Sequence, residues 1–107
     1  HGAGLAIIFP AWMKYVYREN IYRFVQFAVR VWDVDFACER PEEIVLEGIR
    51  RMEGFFRSIG MPVRLSEAGI GEDRFEQMAE KACMFGSIGG FKKLSEQDIV
   101  EIFRIAR

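Results

Sequence analysis

Apolar side chains recur every three or four residues along most of this chain, and no pair of stretches reads as strands. That spacing places them along one side of a 3.6-residue helix, so the chain has to bury helix faces against one another. From Ile21, apolar residues follow at Phe24, Val25, Ala28, Val29 and Trp32, with Arg23, Gln26 and Arg30 on the other side. A second face runs through Ile44, Val45, Gly48, Ile49, Met52, Phe56 and Ile59, about five turns, with Glu47 and Arg51 paired on the far side. The fold class is all-α, a multi-helix bundle.

The breaks between helices carry their own signals. Asp33–Arg40 loses the period and reads as a loop, and Pro41 suits a first helical turn beside Glu42 and Glu43. Gly60 is expected to end the second face as a left-handed cap, with Met61-Pro62 preventing continuation. Residues 63–71 read as turn or extended chain. A helix is expected over Glu72–Phe85 with Phe75, Met78, Ala79 and Ala82 inward, followed by a flexible loop at Gly86–Gly90. Ser95 and Asp98 form a capping-box pattern ahead of Ile99, Ile102, Phe103 and Ala106. Near the start, Leu5–Phe9 is apolar on every side and is expected in the middle of the bundle, with Pro10 kinking that helix or opening a new one. Lys14 and Arg18 would mark a wet edge.

With 107 residues, half of them apolar, the chain can fill one core and not two. Its 15 basic and 16 acidic residues nearly cancel, which argues against a nucleic-acid binder and against attraction to an anionic membrane. The longest apolar run, Leu5 to Met13, is half of a bilayer span. Cys38 and Cys83 stand far apart and read as free, mostly buried thiols of a reducing, cytoplasmic compartment.

Few residues offer chemistry. His1 is the single imidazole, and Gly2 and Gly4 beside it would let main chain approach a ligand or metal closely. One His cannot hold a metal by itself. Cys83 lacks a histidine partner downstream and reads as a buried thiol. Phe24, Phe27, Trp32, Phe55 and Phe56 read as core, and Arg50-Arg51 and Lys92-Lys93 as solvated surface. The Gly86–Gly90 loop has no strand before it and no Gly-Lys-Ser/Thr after it, so it is not a phosphate-binding turn.

Several motifs nevertheless match a known pattern. His1-Gly-x-Gly-Leu-Ala-Ile-x-x-Pro10 resembles the C-terminal helical domain of the iron-dependent alcohol dehydrogenases, and its extension to Met13 resembles their butanol dehydrogenase subgroup. The likeness continues through Ala28-x-x-x-Trp32, Phe55-Phe-x-x-x-Gly60-Met-Pro62, Leu65-x-x-x-Gly69-Ile70, Gly86-x-x-Gly89 and Leu94-x-x-x-Asp98-Ile-x-x-Ile102. The resemblance implies a dehydroquinate synthase-like α-domain from a two-domain enzyme, whose dinucleotide-binding α/β domain would precede His1. It implies His1 as the last of one Asp and three His ligands to a divalent metal: iron, with zinc or manganese as alternatives. It places Cys83, Gly86 and Gly89 on the substrate side, so bulk at Gly89 is expected to alter substrate preference more than stability. It further implies NAD or NADP, a small alcohol or aldehyde substrate, a homodimeric parent and an isolated chain without activity. The competing reading is a free-standing helical interaction module in which His1 is incidental.

Overall fold

The computed structural model describes residues 2–36 and 40–107. Five α-helices form among them: α1 (Gly2–Val16), α2 (Ile21–Trp32), α3 (Pro41–Ser58), α4 (Phe75–Ala82) and α5 (Glu96–Ala106). Short 3₁₀ turns lie at Tyr17–Asn20, Ser66–Ala68 and Glu72–Arg74. Helix α2 packs on α3, α1 packs on α5 and α3, and α4 packs on α5. The shared core draws Ile7, Met13 and Val16 from α1, Phe24 and Ala28 from α2, Ile44, Ile49 and Met52 from α3, and Ile99 and Phe103 from α5. The α2 and α3 faces expected from spacing form, with Phe24, Val25, Ala28, Ile44, Val45, Ile49 and Met52 all buried.

Helix ends follow local chemistry. Pro41 opens α3, where its missing N–H has no intrahelical partner to lose. Gly60 takes φ +83°, its N–H donates to the Arg57 carbonyl at 3.0 Å, and the Met61 N–H donates to Phe56 at 2.9 Å. This pair of bonds is a Schellman closure, which satisfies carbonyls that the helix end would leave bare. At α5 the Ser95 hydroxyl accepts from the Asp98 N–H, and the Asp98 carboxylate accepts from the Ser95 N–H.

Several expectations are corrected. Helix α1 runs through Pro10 as one element and is half-exposed rather than central. Ala6, Ile7, Pro10, Ala11 and Met13 face α3 and α5, whereas Leu5 (54%) and Phe9 (40%) stay open because no element of the described chain covers that side. Ile59 falls beyond the last turn of α3 and is exposed, as is Phe55. Helix α4 starts at Phe75, after the 3₁₀ turn, and ends at Ala82, which is exposed. Turn bonds from Met84 N–H to Lys81 and Gly86 N–H to Cys83 replace the helical ladder there, and Phe85 is left with nothing to pack on.

The Gly86–Gly90 loop is pinned, which the sequence reading missed. Ile88 and Leu94 form an antiparallel bridge, N–H to carbonyl in both directions at 3.0 and 2.6 Å. Arg51 is not merely solvated: its Nη1 donates to the Trp32 and Asp33 carbonyls at 2.9 and 3.0 Å, while its Nε reaches Glu47 at 2.9 Å. Asp33 adopts φ +57°, and the N–H groups of Asp33 and Val34 turn back to the Ala28 carbonyl. Arg51 thus satisfies carbonyls at the end of α2 from a neighbouring helix. Lys92 pairs with Glu19 at 2.6 Å and lies over the Tyr15 ring. Lys14, expected at a wet edge, is half-buried and pairs with the buried Glu53 at 3.3 Å. No helix of the described residues is long and apolar enough to cross a membrane.

Candidate functional site

The two segments singled out by sequence are the start of α1 and the loop after α4. His1 and Cys38 lie outside the described residues. The residues that follow His1 form the first turn of α1, and Gly2, Ala3, Gly4 and Leu5 are all exposed. A side chain at Gly4 would meet nothing within 4 Å, while one at Gly2 would sit 3.4 Å from the Met61 methyl. The α1 entrance is therefore a bare surface of small residues beside the turn that closes α3. Such a surface leaves main chain accessible to whatever approaches that end.

Cys83 and Gly89 both approach Leu94, and Gly86 is tied to Cys83. The Cys83 thiol is half-buried and donates to the Leu94 carbonyl at 3.9 Å; the Gly86 N–H donates to the Cys83 carbonyl at 2.9 Å. Gly86 and Gly89 take φ +107° and +111°, a region that side chains with a Cβ resist. A Cβ at Gly89 would lie 2.2 Å from the Lys92 carbonyl oxygen, so this glycine is required by its own backbone. Bulk at Gly89 therefore carries a stability cost of its own, whatever it does to substrate preference. At Gly86 a Cβ would meet nothing, and the neighbouring Met84 (66%) and Phe85 (98%) project freely.

After the loop, the chain is anchored on the middle of α1. Phe91 meets Trp12 at 5.9 Å and Phe24 at 5.4 Å between ring centres, both edge-on. Below it, the Tyr15 hydroxyl donates to Asp98 at 2.5 Å. That bond holds the Tyr15 hydroxyl proton, pushing its pKa up to about 12, and holds the Asp98 carboxylate below its usual range, helped by the Ser95 N–H. Sequence reasoning missed Tyr15, Arg51 and Phe91 because each acts on a residue distant in the chain. Their only local signal was a polar or aromatic group in a helix or glycine-rich segment.

Comparisons with known proteins place this architecture. A sequence profile of the Fe-containing alcohol dehydrogenase family, C-terminal, matches residues 1–107. The chain is 42% identical over 104 residues to the probable NADH-dependent butanol dehydrogenase 1 of Bacillus subtilis, covering 97% of this chain and 27% of that protein. It is 37% identical over 107 residues to NADH-dependent butanol dehydrogenase A of Clostridium acetobutylicum, again 97% and 27%. The crystal structure of NADH-dependent butanol dehydrogenase A from Thermotoga maritima superposes with a TM-score of 0.90 at 36% identity, over 99% of this chain and 28% of that one. The chain thus spans about a quarter of the length of the curated relatives it matches. With a whole-length profile match and the same helical architecture in a solved relative, the chain belongs to the Fe-containing alcohol dehydrogenase family and corresponds to its C-terminal part.

Proposed function

We propose that this chain is the metal- and substrate-side domain of an NADH-linked alcohol dehydrogenase or aldehyde reductase acting on a small alcohol or aldehyde. The carrying observation is the match over all 107 residues to the C-terminal part of the family, with relatives named as butanol dehydrogenases. In this reading His1 is a neutral nitrogen donor to a divalent metal at the bare entrance of α1. Iron agrees with the family name, and zinc or manganese accept the same donor types. Among the described residues no group of three or more His, Cys, Asp or Glu could hold a metal. A complete site is therefore not built from them, and His1 contributes one ligand to a set finished elsewhere in a longer protein. When bound, such a metal polarises the alcohol or carbonyl oxygen for hydride transfer.

The loop around Cys83, Gly86 and Gly89 lies on the substrate side in this reading. Gly86 and Gly89 shape its backbone there, and Met84 and Phe85 are its free apolar groups. The parent is a cytoplasmic homodimer in the same reading.

The test replaces His1 with Ala in the longer protein that carries this chain. Metal content and turnover should fall while nucleotide affinity stays near normal, because the dinucleotide would bind outside these residues. Retained metal and turnover would make His1 an incidental residue and not a ligand. The 107-residue chain alone should form no NADH from alcohol.

A further inference from the structure

Helices α1 and α2 and the segment after the Gly86–Gly90 loop enclose a groove of about 490 Å³. Its walls are Phe9, Trp12, Met13, Phe24, Phe27, Gly90 and Phe91, and its one charged residue is Arg23. Phe9 and Trp12 lie nearly parallel, 20° apart with ring centres 5.8 Å from one another, and make a flat shelf. Phe91 stands edge-on to Trp12 and Phe24 and makes the end wall. A shelf with a perpendicular wall favours a flat, apolar guest that stacks on one ring and meets the edge of another.

Arg23 decides what else that guest carries. No acidic side chain lines the groove. Two arginines of α3 are committed, Arg50 and Arg51 to Glu47, and Arg51 also to carbonyls of α2. Arg23, among the described residues, has neither an ion pair nor a hydrogen bond. An unpaired guanidinium offers a planar fork that matches a carboxylate. The volume also falls within the range of about 300–1,000 Å³ typical of small-molecule sites.

We propose that this groove is a binding site for a small aromatic carboxylate, its ring on the Phe9–Trp12 shelf and its carboxylate on Arg23. The inference uses neither His1 nor Cys83, Gly86 or Gly89; only Gly90, the last residue of that loop, contributes to the wall. Naphthalene carboxylate and its methyl ester make the probe pair. They are titrated into the chain while the two tryptophan indole N–H signals are followed by NMR. The acid should shift the Trp12 signal well ahead of Trp32 and bind at least about fivefold more tightly than the ester. Arg23→Gln, at an exposed position that leaves the core untouched, should remove that difference. Phe9→Ser should weaken acid and ester alike. Equal binding of acid and ester, shifts centred on Trp32, or no binding of either would overturn the proposal. So would a Trp12 signal that moves with protein concentration alone, because a second copy would then fill the groove.

Discussion

Glycine does opposite things in two regions of this molecule. Where α2 crosses α3, Gly48 is buried and a Cβ there would lie 2.5 Å from the Ala28 Cβ and 2.9 Å from its Cα. The two helices approach backbone to backbone because one residue has no side chain and the other has a single methyl. In the loop after α4, Gly86 and Gly89 are exposed and both take positive φ; Gly86 has open space around it, and Gly89 abuts only its own loop, at the Lys92 carbonyl. The first region is close-packed and cannot yield without separating two helices. The second is tied by one bridge and by Phe91, so a clash there falls on the loop's own backbone and not between helices. Tolerance therefore follows what surrounds a residue more than which residue it is.

The sharpest way to break the comparison is Gly48→Val, expected to cost about 3 kcal/mol or more, because overpacking here pushes on a neighbouring backbone. Gly54→Ala on the same helix is its counterpart: a Cβ there meets nothing, so the helix should gain up to about 1 kcal/mol. Thermal and urea unfolding of both variants decides it, and equal effects would remove the distinction. Next in size is Gly89→Val in the loop, expected to cost about 1–3 kcal/mol from a forbidden φ and the Lys92 carbonyl. Hydrogen exchange should show that loss confined to the bridge of Ile88 and Leu94, whereas Gly48→Val should raise exchange across α2 and α3.

Smaller again is Arg51→Met, about 1 kcal/mol, which bares the Trp32 and Asp33 carbonyls while keeping much of the apolar stem. Its loss should appear as faster exchange at the end of α2. The smallest effect, about 1 kcal/mol or less, is expected for Tyr15→Phe, which removes the bond to Asp98 beside the loop anchor. The sign with pH follows from both partners. Tyr15 keeps its proton in the folded state, so its contribution is present below about pH 10 and is lost as pH rises toward 12. Asp98 is depressed, so its contribution is present above its ordinary carboxylate range and is lost as pH falls below about 4. Tyr15→Phe should flatten the alkaline limb of a stability–pH profile and reduce the acid one. An unchanged alkaline limb would show that the bond carries no stability.

The helices and their ends were readable because their causes are local. The period of Phe24, Val25 and Ala28, the Gly60 closure and the Ser95–Asp98 box each depend on residues within a turn or two of one another. Burial was readable only in part. Leu5 and Phe9 share the apolar character of Ile7, yet α3 and α5 cover one side of α1 and leave theirs open. Hydrophobicity states what a side chain gains if covered; it does not state what arrives to cover it.

The family was legible from the opening motif and the Gly-Met-Pro turn, and the profile match over the whole chain agrees. The sequence by itself determined an all-α chain, its helix boundaries to within a few residues and its caps, since hydrogen bonds inside one segment suffice for these. Tertiary structure alone decided that Gly48 meets Ala28, that Arg51 ends α2, and that Phe9, Trp12, Phe24 and Phe91 share one groove. Those contacts join separate helices and loops. No period or spacing encodes a distance between two helices that only their packing brings together.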